Sequence, residues 1–368
     1  MKLQPPTLDH LWRMTDDTGI IQHATGSIPD RKTGYTTDDN ARALIAALWA
    51  FQRGEREAAM LVERYMAFLG WAQEEDGTFH NEFTYDRRPV AGGRSEDATG
   101  QAVWALGEVI AARERGWAEA ALPRLRRWLE AAPRPRYIRS AAFALLGLAR
   151  AASGELAEPL ARRLEEAGEA LTGLLLERYH DARRPGWEWV EDRLTYANGA
   201  PPAALLAAGR TWGWSEAVAA GERMLRWLDD LSWEEQVLVP VGNQGWYARG
   251  GEKARFDQQP IDPAWMVLAH VEAAAALDSR SDLERAESAL GWFGGRNLLG
   301  LPLVDPVSGG CHDGLGREGL NANQGAESTL AWLLAFYGFE RARNAVAVRA
   351  AGRNAWSRGA SSLGATGA

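Results

Sequence analysis

Residues 36–48 read TTDDNARALIAAL, a polar phrase with two adjacent carboxylates, Asp38 and Asp39, that runs straight into small and branched apolar residues. Alanine and leucine favour helix, and acids suit its positive end. The stretch therefore predicts a helix that begins at the carboxylates and is buried around most of its girth. The pattern returns five times, as SEDATGQAVWALGEVI from 95, PRYIRSAAFALLGLA from 135, YANGAPPAALLAAG from 196, PIDPAWMVLAHVEAAAAL from 260 and NQGAESTLAWLLAFYGF from 323. By subtraction of those positions the starts are 59, 40, 61, 64 and 63 residues apart, close to two helices and a loop, with one interval short.

Between these segments lie charged amphipathic ones, such as EREAAMLVERYMAFLGWAQ, AEPLARRLEEAGEALTGLLLERY and SDLERAESALGWFGG, with arginine and glutamate on one face. Strictly alternating β-branched runs are scarce. Small-residue helices wrapped by amphipathic ones predict an all-α fold, an (α/α)6 toroid of six parallel inner helices and six antiparallel outer ones. It is expected to be a single domain over 1–352, with 353–368 a flexible C-terminal tail of small, polar composition.

The chain has 368 residues, 46% of them hydrophobic, and a net charge of −8. It is too apolar for disorder, and it offers no basic field to nucleic acid or membrane. The opening MKLQPPTLDHLWRM lacks an apolar signal core, so the expected location is cytoplasmic, and the single Cys311 agrees with a reducing compartment.

Parallel inner helices bring all six polar phrases to one rim. The acids there are Asp38 and Asp39, Glu96 and Asp97, Glu191 and Asp192, Asp257 and Asp262, and Glu327. Helix capping explains one acid per helix better than it explains pairs, and clustered carboxylates with separated pKa values are the arrangement that acid/base chemistry uses. The catalytic candidates are Asp38, Asp39, Asp97, Asp192 and Glu327. Long loops rich in glycine and aromatics, with room for short β-hairpins, feed the same rim. They carry Trp187, Trp189, Tyr196 and Trp246, whose flat faces suit the C–H faces of sugar rings. Most of the 17 tryptophans lie on helices and read as packing. His23, Arg42, Glu96, Glu191, Asn198, Gln259 and Asp262 complete the expected binding set, with His312, Asp313, Asn321 and Asn323 from SGGCHDGLGREGLNANQGAEST.

Consecutive Cys311, His312 and Asp313 have the wrong spacing to wrap one metal ion, so neither metal nor cofactor is expected. There is no P-loop, Rossmann glycine fingerprint, HExxH or GxSxG. A terpenoid cyclase is set aside because Arg42 stands where a DDxxD run would place its next acid.

HLWRMTDDTGIIQHATGSIPDRKTGYTTDDNARAL, WEWVEDRLTYANGAPPAAL, FDQQPID and GGCHDGLGREGLNANQGAEST together resemble a bacterial toroid family found alone or fused behind a glycosyltransferase domain. The resemblance spans nearly the whole chain. It implies the six-hairpin glycosidase type of fold, a carbohydrate context with mannosides a further suggestion, and a glycosyltransferase as a partner. The chain lacks the nucleotide-sugar-binding domains of the fused members, which separates it from their transferase label.

The resulting expectation is a glycoside hydrolase that acts on an oligosaccharide with a carboxylate acid/base pair. Inversion is expected, because acids drawn from different helices across a broad mouth leave room for water. The alternatives are a non-catalytic carbohydrate-binding or regulatory partner of a glycosyltransferase, and a sugar epimerase or isomerase, which a histidine pair facing the sugar would favour.

Overall fold

The computed structural model describes residues 3–131 and 135–363, apart from the side chains at 115 and 349–363. In chain order its helices are α1 (Asp9–Met14), α2 (Thr37–Arg53), α3 (Ala58–Ala72), α4 (Glu96–Ala112), α5 (Arg115–Ala131), α6 (Ile138–Ala151), α7 (Glu158–Ala182), α8 (Ala200–Trp212), α9 (Ser215–Ser232), α10 (Ile261–Ala276), α11 (Arg280–Leu290) and α12 (Ala326–Leu363). The even-numbered helices form a closed ring, α12 returning to pack on α2, and α3, α5, α7, α9 and α11 each lie against the inner helix before them. This is the (α/α)6 toroid that the repeat predicts. One detail differs: no outer helix follows α12 among the described residues, and α12 packs on α11 and on the short α1 instead. The backbone of α12 runs through 353–363 of the expected tail, and 364–368 lie outside the described residues.

The inner helices are buried almost throughout, as in α2, where residues from Ala41 to Ala50 are all buried. The short interval between the second and third repeats coincides with the tightest contact. A Cβ on Gly107 of α4 would overlap the Gly147 carbonyl of α6, and one on Gly147 would overlap the Val103 carbonyl, so glycine lets the two backbones touch.

The interior is layered. Near the helix starts, polar contacts join mostly ring neighbours: Arg42 of α2 to Glu327 of α12, Ser140 of α6 to Asp97 of α4, and Arg139 of α6 to Asn198, which precedes α8. Deeper, contacts cross the ring. Trp265 of α10 meets Trp104 of α4 at 5.1 Å and Phe143 of α6 at 5.3 Å between ring centroids. Below that aromatic floor, Arg150 of α6 joins Glu108 of α4 to Glu272 of α10, and Trp49 of α2 donates to Glu108. The inner helices therefore run parallel, open at their N-terminal mouth and plugged below it.

Short antiparallel pairs stitch the rim loops. Three are hairpins, at 24–29, 233–238 and 315–320, and two tie separate loops together, Tyr35–Thr36 to Glu82–Phe83 and Arg193–Leu194 to Tyr247–Ala248. None of the helices searched is long and apolar enough to cross a membrane.

Candidate active site

The adjacent acids at the start of α2 share its capping with a neighbouring loop: Asp38 accepts the Asp39 N–H at 2.9 Å with one oxygen. Asn81, from the loop that follows α3, accepts the Thr37 and Asp38 N–H groups with its Oδ1 at 3.1 and 3.3 Å. The side chains of Asp38 and Asp39 can then converge on Arg42 one turn later. The Arg42 guanidinium reaches Asp39 at 2.8 Å, Glu327 of α12 at 3.3 Å and Asp38 at 3.6 Å. Arg42 and Asp39 are buried, whereas the side chains of Asp38 and Glu327 are 27% and 49% exposed, so these two are the members a solute can reach. Three carboxyls around one cation leave excess negative charge. Burial lifts the Asp39 carboxyl well above the usual carboxylate range, against the pull of Arg42 and with the help of Asp38 and Glu327.

A second arginine centre stands on α6, and Asp262 feels the charge both of its Arg139 and of Glu327. Arg139, in the first turn of α6, donates to Glu191 at 2.8 Å, to the Tyr196 carbonyl at 2.5 Å and to Asn198 at 3.3 Å. Its guanidinium also lies 4.7 Å from the Tyr196 ring centroid. The Tyr196 hydroxyl and Ser140 both donate to Asp97. Burial and the Asp97 carboxylate hold the Tyr196 phenol above its ordinary pKa, which keeps it a donor. Asn198 passes the network to Asp262 in the first turn of α10, through its backbone N–H at 3.4 Å and its side-chain amide at 3.3 Å. Both bonds fall on one oxygen of Asp262, and the other is buried without a partner. Burial pushes the Asp262 carboxyl up to about 7, opposed weakly by Asn198 and Arg139. A cleft of about 620 Å³ opens here, lined by Thr78, Arg94, Asp97, Tyr137, Arg139, Glu191 and Tyr196 among others.

Of the expected site residues, the mouth gathers Asp38, Asp39, Arg42, Asp97, Glu191, Tyr196, Asn198, Asp262 and Glu327. Glu96 lines the cleft but spends one oxygen on the start of α6, accepting the Arg136 and Tyr137 N–H groups at 2.6 and 3.4 Å. Other residues lie elsewhere. Asp192 is paired with Arg249 at 2.8 Å, its side chain 76% exposed, beyond the lining of this cleft. Trp187 and Trp189 are buried, within 5.0 and 6.2 Å of the Trp227 ring centroid, so their faces serve packing and not a sugar. Trp246 is half-buried against the core, and Gln259 supplies its carbonyl to the Asp262 N–H at 3.1 Å.

The polar loop before α12 is occupied with itself. Asp313 accepts the Gly325 N–H and the Ser328 hydroxyl at 2.7 and 2.8 Å, and His312 bonds the Asn321 carbonyl at 2.8 Å. Asn321 accepts the Asn323 N–H, and Asn323 accepts the Gly26 N–H, each at 3.0 Å. His23 is exposed and enters the rim through its backbone. Among the described residues no group of three or more His, Cys, Asp or Glu could hold a metal ion.

Arg139 and Tyr137 were missed from the sequence, although PRYIRS is the one inner-helix start with basic residues in place of acids. The exposed aromatics at the cleft are Tyr137 and Tyr196, 57% and 38% exposed.

No protein-family model matches the sequence, and no curated protein does. Solved structures match the fold. A cellobiose 2-epimerase from Bacillus thermoamylovorans is 11% identical at a TM-score of 0.70, over 92% of this chain and 96% of that one. A sugar epimerase from a ruminal bacterium is 13% identical at 0.67, over 91% and 95%. The GH76 alpha-mannanase of Bacteroides thetaiotaomicron is 10% identical at 0.60, over 85% and 87%. At such identities the likeness establishes the six-hairpin toroid.

Proposed function

We propose that this chain is a carbohydrate-active enzyme that hydrolyses glycosidic bonds of an oligosaccharide at the N-terminal mouth of the toroid. The observation that carries the reading is the composition of that mouth. Carboxyls from α2 and α12 meet the buried Arg42, Glu191 meets the buried Arg139, Asp97 of α4 and Asp262 of α10 are held by Ser140, Tyr196 and Asn198, and among the described residues no histidine is hydrogen-bonded or ion-paired to any of these carboxyls. Two carboxylates flanking the scissile bond supply what glycoside hydrolysis needs, one to protonate the leaving oxygen and one to activate water.

Asp38 and Glu327 are the pair we assign to those roles, since they combine exposure with a shared arginine. Asp39 orients Arg42, and burial makes its charge costly. Tyr137 and Tyr196 offer the aromatic faces, in place of Trp187 and Trp189. Inversion belongs to the same proposal: Asp38 and Glu327 stand on different inner helices, on either side of one guanidinium, which suits a pair that holds water between its members. The alpha-mannanase neighbour lends a mannoside substrate its support.

Epimerisation or isomerisation of a sugar at the same mouth is the second reading, favoured by the two epimerase neighbours. A glycosyltransferase partner rests on the sequence resemblance alone. Incubation with a panel of manno- and gluco-oligosaccharides, read by mass and NMR, separates the readings. Hydrolysis gives shorter sugars with new reducing ends, epimerisation gives products of unchanged mass, and binding without turnover replaces the enzyme with a glycan-binding partner.

A further inference from the structure

Behind Glu191 a second cavity of about 380 Å³ adjoins the cleft, and Tyr137 and Glu191 line both. Its lining is rich in arginine: Arg136, Arg178, Arg184 and Arg249 stand with Asp181, Glu191 and Asp192. Two of these carboxylates are already compensated. Glu191 is held by Arg139 and Asp192 by Arg249, each at 2.8 Å. Among the described residues no carboxylate is ion-paired with Arg136, Arg178 or Arg184. The Arg136 guanidinium lies 5.7 Å from the Tyr137 ring centroid, and Arg184 donates to the Asp181 and Arg183 carbonyls at 2.7 Å. Asp181 is then the one uncompensated acid facing three cations, on a chain whose net charge is −8. Like charges gathered in one groove repel unless an anion joins them, and the planar guanidinium fork matches the oxygens of carboxylate, sulfate and phosphate.

We infer that this arginine groove binds the oxyanion of an acidic sugar substituent, a carboxylate, sulfate or phosphate, while the ring that bears it lies past Tyr137 in the neighbouring cleft. The second half of this inference rests on the reading of the mouth as a glycan site; the first half does not.

Calorimetric titration of the full chain with inorganic phosphate at low ionic strength tests the groove directly. The variants are Arg136→Gln, Arg178→Gln and their double, with Arg280→Gln on α11 as a control for net charge. Neither Arg136 nor Arg178 has a hydrogen-bonded side chain among the described residues, so the fold is expected to survive, which circular dichroism checks. Saturable binding is expected in the parent, weakened roughly fivefold by each groove substitution and about 25-fold by both, with no change from Arg280→Gln. Absence of saturable binding in the parent, or equal weakening by Arg280→Gln, overturns the site.

A second arm compares a uronate-bearing disaccharide, its sulfated and phosphorylated analogues and the neutral parent sugar. Tighter binding of at least one acidic sugar, lost in the double variant, supports the link to the cleft and names the anion. Equal binding of acidic and neutral sugars overturns that link. Phosphate binding with no affinity for any sugar removes the glycan reading and leaves the anion site. Sugar binding without phosphate binding does the reverse.

Discussion

Replacing Arg150 with methionine removes the cation that plugs the toroid beneath its mouth. The Arg150 Nε lies 2.9 Å from Glu108, and an Nη of the same guanidinium is paired with Glu272. Both acids are buried, 2% and 4% exposed. Without Arg150, Glu108 keeps the N–H groups of Trp49 and Trp104, at 3.1 and 3.3 Å, Glu272 keeps Arg210 at 3.7 Å, and both still feel the more distant charge of Arg341. Breaking a buried ion pair from one side costs about 3–5 kcal/mol. The Arg150 side chain is 23% exposed, so we take the lower end, about 3 kcal/mol. Unfolding entropy of roughly 2.1 cal/mol/K per residue, over a chain of this length, turns that into a fall in Tm of about 4 °C.

Scanning calorimetry at pH 8 checks the reasoning. Adding Glu108→Gln and Glu272→Gln to the variant should recover most of the loss. A variant that melts within 1 °C of the parent at pH 8, on the order of the scatter for a neutral surface change, would refute the plug.

Asp262→Asn should raise stability at pH 8 relative to pH 5. The folded carboxyl is pushed up to about 7, so its buried charge burdens the native state increasingly as pH rises from the unfolded value, by about 4 kcal/mol at most; equal effects at both pH values in chemical denaturation would contradict this. His270→Gln should cost about 2 kcal/mol at pH 6 and less at pH 9. Burial alone would lower the His270 pKa, but Asp229 and Asp282, at 3.0 and 2.9 Å, raise it overall, so its contribution is complete below pH ~6.5 and fades as pH rises through the folded value. Gly107→Ala should destabilise by about 3 kcal/mol or more through its clash with the α6 backbone, whereas Gly173→Ala, which meets nothing on the outer face of α7, should be neutral or slightly stabilising in the same melt.

The toroid was legible because helix identity here is a matter of composition. Segments such as ARALIAALWA can be buried on every side only as inner helices, and segments such as EPLARRLEEAGEAL only as outer ones. Parallel starts then placed Asp38, Asp39, Asp97, Asp262 and Glu327 at one mouth without any knowledge of contacts. Solvent access was not legible. Trp187 and Trp189 sit in a loop beside two acids, yet that loop folds inward and packs on Trp227, while Tyr137, on the helix start without acids at 135, stays exposed.

Partnership was equally hidden. Nothing in the spacing says that Asp192 pairs with Arg249 or that Asp313 is consumed at the start of α12. The plug also escaped notice, since Glu108, Arg150 and Glu272 are single charges scattered among small residues and acquire meaning only when the ring closes.

The central claim is that the carboxylates around Arg42 perform glycoside hydrolysis, and the most direct test is a rate. On an oligosaccharide that the parent cleaves, Asp38→Asn and Glu327→Gln preserve shape and remove the ionisable group. New reducing ends, followed by proton NMR, should form about 10²- to 10⁴-fold more slowly in each variant. In the parent the first-formed anomer should be inverted. Turnover at the parent rate in both variants would contradict the account.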